Sequence, residues 1–214
     1  MAEADQPYLL NAKDLATLGR TDCSGAMRVG STAHPKLDPS TGELVLFNYT
    51  LEVPYLTWSV INADGTTKVE PTPVDGLTDA VMIHDMALTS TYIVLFLCPL
   101  IFDLEAAMTG GSLLSWRPDD GTRIALIPRD GGAVRWITTD PFWVWHFANA
   151  FDNPDGSVTV EAALALAWAI EGLDGVNPAV TAFPGRTSER VFAMLRHGEK
   201  IQSAVSRFPS VSAD

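Results

Sequence analysis

The hydrophobic positions of this chain come in short runs with strand-like content. "ELVLFNYTL" (43–51) and "LTWSVINADG" (56–65) are rich in β-branched and aromatic residues. So are "STYIVLFL" (90–97), "TRIALIPRDGG" (122–132), "AVRWITT" (133–139) and "GSVTVEA" (156–162). Runs of this length and composition fit strands better than helices. Turn dipeptides separate them: Asp38-Pro39, Thr41-Gly42, Asp64-Gly65, Asp75-Gly76, Asp120-Gly121, Asp130-Gly131 and Asp155-Gly156. Glycine after aspartate permits the backbone of a tight hairpin turn, so the pattern predicts successive antiparallel meanders. Meanders suit a sandwich, a barrel or a propeller, and no internal repeat is sharp enough to choose among them.

The pattern changes near residue 160. "VEAALALAWAIEGLDG" (160–175) is Ala/Leu-rich and reads as a helix ending at Gly172 or Gly175. "SERVFAMLRHGEKIQSAVSRF" (188–208) offers a capping serine and apolar residues near helical spacing, interrupted by Gly198. The expectation is an all-β body over 1–161 and an ambiguous, helix-like tail over 162–214, with 172–188 as the linker.

Composition narrows the function classes. The 214 residues are 47% hydrophobic, a globular composition. A formal net charge of -12 argues against nucleic acid and against simple electrostatic attachment to anionic lipid. Cys23 and Cys98 are far apart and form no CxxC, which reads as two reduced thiols in a cytoplasmic protein. The start, "MAEADQPYLL", lacks the basic and apolar regions of a signal peptide, and "YIVLFLCPLIF" (92–102) is too short to span a bilayer.

Candidate chemistry rests on histidine. Three of the four histidines stand in distinctive text: His34 in "STAHPKLDPSTGEL", His84 in "VMIHDMALTSTYIVLF" and His146 in "VWHFANAF". Each alone reads more simply as a loop, hydrogen-bonded or core histidine. Asp85, beside His84, reads as a local cap. Neutral imidazole is nonetheless the commonest metal ligand, and three of them without a cysteine cluster fit several metals. A three-histidine zinc hydrolase is one such reading, but no convincing general base accompanies it.

The joint order says more. "AHPKLDPSTGEL", then "HD" opening a strand, then "W-x-P-x-x-G-T-R-I" with "PR-x-G", then "W-x-W-H-x-x-N-A" closely resembles the carotenoid cleavage oxygenase family from about residue 3 to 160. That family includes the lignostilbene dioxygenases and the retinal pigment epithelium isomerase. The resemblance implies part of a seven-bladed β-propeller, about three to four blades here. It implies one Fe2+ held by four histidines from inner strands of different blades. His34, His84 and His146 match the first three. His197-Gly198 matches the fourth only superficially, because it comes far too soon. Glu3, in "EADQPY", matches a glutamate that hydrogen-bonds the far nitrogen of a ligand ring and fixes its tautomer.

The implied reaction is cleavage by O2 of a conjugated carbon–carbon double bond in a carotenoid, apocarotenoid or stilbene, giving carbonyl products. Such an apolar substrate needs an apolar tunnel. Strand alternation puts Phe142 and Val144 on the face of His146, which makes Phe142 the tunnel candidate and sends Trp143, Trp145 and Phe147 into blade packing. "CPLIFDLEAAMTGGSLL" (98–114) falls where the family places an excursion between blades, whose apolar residues can form a tunnel mouth or touch a membrane peripherally. The family protein is much longer. The chain therefore reads as a fragment that needs the missing remainder of the propeller, or alternatively as an inactive propeller remnant that binds metal or an apolar partner without turnover.

Overall fold

The computed structural model describes Glu3 and residues 5–165, 189–195 and 202–207. The chain divides into two compact units, Met1–Ala80 and Val81–Asp214. The first begins with a hairpin of β1 (Tyr8–Leu10) and β2 (Thr17–Arg20). A four-stranded antiparallel sheet follows in chain order: β3 (Lys36–Leu37), β4 (Leu44–Tyr49), β5 (Leu56–Ile61) and β6 (Thr67–Pro73). The second unit holds two more such meanders. One runs through β7 (Ala87–Leu88), β8 (Tyr92–Leu97), β11 (Thr122–Pro128) and β12 (Arg135–Thr139). The other runs through β13 (Trp143–Asp152), β14 (Val158–Ala165), β15 (Glu189–Leu195) and β16 (Gln202–Arg207).

The excursion expected over 98–114 is present between β8 and β11. It is a small antiparallel pair, β9 (Leu100–Phe102) and β10 (Leu114–Trp116), joined by the one-turn helix α1 (Leu104–Met108). Asp103 caps that helix by accepting from the Ala106 N–H at 2.9 Å. Leu104 and Met108 on the helix, and Leu113 after it, are exposed. Among the described residues no helix is long and apolar enough to cross a membrane.

Burial follows strand position. Central strands β5, β8 and β11 are almost wholly buried, which matches their near-continuous apolar text, whereas the outer strand β6 alternates. In the first unit Phe47 and Val45 are fully buried, and Ala26, Met27, Leu46 and Ile61 form a cluster. Polar side chains in these strands find backbone partners: the Ser59 hydroxyl donates to the Ala26 carbonyl at 2.9 Å and the Asn48 amide to Val29 at 2.8 Å. In the second unit Phe96, Leu126, Trp143, Val158, Val160 and Ala162 belong to one core that joins both sheets.

Two turns show why Asp-Gly punctuates the sequence. "NADGT" (62–66) and "NPDGS" (153–157) fold alike. Asn62 and Asn153 donate their N–H to the carbonyls of Thr66 and Ser157, both at 2.8 Å. Asp64 and Asp155 accept from the N–H of Thr66 and Ser157 at 2.9 and 3.0 Å. The glycines between, Gly65 and Gly156, take φ of 86° and 81°, a left-handed conformation that a side chain disfavours.

The tail departs from its expectation. The helix expected over 188–208 is replaced, in its described residues, by β15 and β16, and "VEAALA" continues as strand β14. Helix propensity there loses to sheet packing: Val158, Val160 and Ala162 alternate into the core, and β14 is paired on both sides. The linker expected over 172–188 lies outside the described residues.

Replacing the fully buried Phe47 by alanine is expected to cost about 3–5 kcal/mol, read as a lower urea midpoint with an unchanged slope. A second expectation concerns acid. Burial alone would raise the Asp152 carboxyl, but hydrogen bonds from Ser90, Thr89 and Thr91 outweigh it and hold the group below its ordinary value. A depressed folded pKa stabilises fully above the unfolded value of about 3.9, and that contribution disappears as pH falls through the folded value. Asp152→Asn should therefore flatten the acid limb of stability against pH, and an unaltered limb would refute the assignment.

Candidate metal centre

His34 lies two residues before β3, half-buried. Its N–H donates to Thr32 Oγ1 at 3.0 Å, and the Thr32 N–H donates to the Phe47 carbonyl at 2.8 Å, so the segment is fastened to β4. Beyond it, Asp38 closes the β3–β4 turn by accepting from the Ser40 N–H and hydroxyl at 2.8 and 2.6 Å. Gly42 ends that turn with φ of 73°, where a Cβ would stand 3.0 Å from the Ala63 methyl.

His84 lies just before β7, half-buried, and His146 sits exposed on β13. Their rings meet edge to face, with centroids 5.0 Å apart and planes at 76°. A nitrogen of each lies within 4.8 Å of one on the other, so a small ring movement lets one ion take both at bonds of about 2 Å. All three histidines occupy the same topological place: at or just before the first strand of a four-stranded meander.

The donors are imidazole nitrogens. The Cys98 thiol is buried, and burial pushes it up to about 12, so it supplies no thiolate near neutral pH. Imidazole suits zinc, copper, iron and nickel.

Asp85 does more than cap its neighbour. Its side chain is buried at 4% exposure. Oδ1 accepts from the Met86 N–H at 2.8 Å, and Oδ2 accepts from the Phe147 N–H at 2.9 Å. It thus reaches from the His84 segment to the residue after His146.

The aromatic surroundings correct the alternation argument. The β13–β14 register shifts between Val144 and His146 and again between Phe147 and Asn149. Such bulges break the two-residue period. Trp143 and Val144 are consequently both buried, whereas Trp145 and His146 are both exposed. Trp145 was expected in blade packing, but its ring stands edge-on to His84 with centroids 5.3 Å apart. Phe142 and Phe147 are half-buried and pack on Phe96, with centroids 5.9 and 5.0 Å away.

Glu3 is half-buried and hydrogen-bonded to Tyr49. The Tyr49 hydroxyl is pushed far up, first by burial and then by the charge of Glu3 and the bond to it. It stays protonated and donates into the carboxylate. Nothing in the spacing of Glu3 and Tyr49 signals this pair. His197 lies outside the described residues.

Comparison with known proteins agrees with the motif order. The family model described as retinal pigment epithelial membrane protein matches residues 1–207, so the likeness continues well beyond the motif text that ends near 160. A carotenoid 9,10(9',10')-cleavage dioxygenase of Crocus sativus is 33% identical, over all of this chain and 39% of its own length. Resveratrol cleavage oxygenase 1 of Chaetomium globosum is 32% identical, over 77% of this chain and 29% of its own. The chain therefore spans well under half the length of the curated relatives it matches. Among solved structures, a lignostilbene dioxygenase of Pseudomonas brassicacearum superposes with a TM-score of 0.72 at 29% identity, over 95% of this chain and 44% of that one. A Synechocystis apocarotenoid oxygenase variant shares the fold at a TM-score of 0.73 and 23% identity, over 96% of this chain and 45% of that one. The four-stranded meanders are accordingly blades of a partial β-propeller, and the chain belongs to the carotenoid cleavage oxygenase family.

Proposed function

We propose that this chain carries three ligands of a non-heme Fe2+ dioxygenase that cleaves a conjugated carbon–carbon double bond of a carotenoid, apocarotenoid or stilbene, using O2 to form two carbonyl products. The observation that carries the reading is the close pair of His84 and His146 imidazoles, each at the head of its own blade. His34 heads the remaining blade and is assigned as the third ligand. When bound, Fe2+ supplies a cationic centre with open positions for dioxygen.

The chain's own residues do the rest. The three imidazoles hold the ion as neutral donors, so the chain adds no anionic ligand. Glu3 is assigned to accept the far N–H of a ligand ring, which sets that ring's tautomer; Tyr49 donates into the same carboxylate and fixes its direction. Trp145, exposed beside His84, and Phe142, a few residues before His146, are assigned to the apolar wall that receives the substrate and excludes water.

The alternative reading is a propeller segment that binds metal or an apolar partner without turnover. One experiment separates the two. Anaerobic Fe2+ titration of the chain should show binding that weakens at least about tenfold in His84→Ala and in His146→Ala. Admission of O2 to the loaded chain with a polyene or stilbene should bleach the chromophore only where iron is held. Binding without bleaching favours the second reading, and binding indifferent to both histidines removes the site.

We also assign peripheral membrane contact to the excursion bearing Leu104, Met108 and Leu113, which expose apolar surface at 46%, 88% and 45%. Cosedimentation with neutral phosphatidylcholine vesicles should fall at least threefold in Met108→Glu. Equal sedimentation would exclude this surface.

A further inference from the structure

The carboxylate of Asp85 has no part in the ligand set proposed above, yet it is buried where a charge is costly unless it is bonded. Its two oxygens serve two different segments, the approach to β7 and the middle of β13. Oδ1 takes the Met86 N–H at 2.8 Å, two residues after His84. Oδ2 takes the Phe147 N–H at 2.9 Å, one residue after His146 and 62 positions along the chain. One rigid three-atom group therefore bridges the main chains that carry the two imidazoles.

The bridge falls where β13 is otherwise least constrained. Among the described residues this strand is the edge of its sheet, with β14 as its only ladder neighbour. The ladder to β14 is irregular on both sides of His146 and Phe147, because register shifts flank them. A bulged stretch on an edge strand has few backbone bonds to hold its side chains in one direction. The bond to Asp85 supplies a fixed point from the opposite side.

We propose that Asp85 is a positioning residue for the metal centre: it sets the separation and mutual angle of the His84 and His146 rings by fastening their backbones to one carboxylate. The inference rests on the assignment of those two histidines as ligands. Asp85 itself does not touch the ion. Asp85→Asn keeps size and shape but leaves one oxygen, so one of the two N–H groups faces an NH2 donor instead of an acceptor.

The test is titration of the purified chain with Co2+, followed by visible absorption, which reports both affinity and ligand geometry. Unsubstituted chain and Asp85→Asn are compared with Asp152→Asn, which removes another side-chain fastening of β13, the one to Ser90 and Thr91. Asp85→Asn should bind Co2+ about 10–100-fold more weakly, the range typical of groups that orient ligands, and should shift the absorption envelope. Asp152→Asn should lower Tm and leave both readings in place. Asp85→Glu, which keeps two acceptors but moves them outward, should fold and give a shifted envelope; it replaces the asparagine variant if that one does not fold. Unaltered affinity and spectrum in the Asp85 variants overturn the proposal while the metal site stands. So does an equal change in Asp152→Asn, which would mark a general loss of β13 structure. Co2+ binding that does not depend on His84 in the unsubstituted chain overturns the ligand assignment and this inference with it.

Discussion

An edge strand presents N–H groups that no ladder satisfies, and the candidate centre depends on how β13 meets that constraint. Buried backbone donors must find acceptors or destabilise the fold. Here the acceptors are side chains of the preceding blade. Thr122 Oγ1, fully buried on β11, accepts from the Phe142 N–H at 3.1 Å just before the strand begins. Asp85 accepts from Phe147 in the middle. At the far end the direction reverses: the Ser90 hydroxyl and the Thr91 N–H donate to Asp152 at 2.5 and 3.0 Å. The core between the two sheets, with Phe96 against Phe142 and Phe147, is apolar and non-directional. These three polar fastenings seat the strand, and the middle one, at the residue after His146, is the one placed to bear on that ring.

Much of the fold was legible because blades punctuate themselves. The runs that became β4, β5, β8, β11, β12 and β14 are visible as apolar text between Asp-Gly turns, and the turn at 62–66 repeats at 153–157. What stayed hidden did so for identifiable reasons. β6, "TKVEPTP", carries two prolines and almost no large apolar residue; it is an outer strand whose exposed face asks for none. The tail has the opposite problem. Alanine and leucine at 160–165 favour a helix locally, but pairing with β15 on one side and β13 on the other decides the matter, and neither neighbour is visible in a window of text.

The candidate site was legible in its histidines and illegible in their supports. His34, His84 and His146 announce themselves only jointly, through the order of the motifs around them. The face assignment of the aromatics failed at Trp145 because alternation presumes an unbroken ladder, and the two register shifts in β13 break it. Tyr49 and Asp85 could not have been found by spacing. Their partners are 46 and 62 positions away, and only the folded sheets bring a phenol to Glu3 and a carboxylate to the Phe147 N–H.

The engagement of Asp85 bears on the chemistry as well as the geometry. An aspartate adjacent to a ligating histidine is a ready anionic ligand, and a carboxylate on the ion would offset part of its positive charge. Both oxygens of Asp85 are instead bonded to main-chain N–H groups. The fold thus ties both oxygens to the backbone beside His84 and His146, so the donor set proposed for this chain would consist of imidazoles alone. That division suits the surroundings. Trp145 stands edge-on to His84 and presents mostly apolar ring surface there, its indole N–H being its one polar group. Under the proposed reading, an apolar substrate would be oriented mainly by the shape of such aromatic surface.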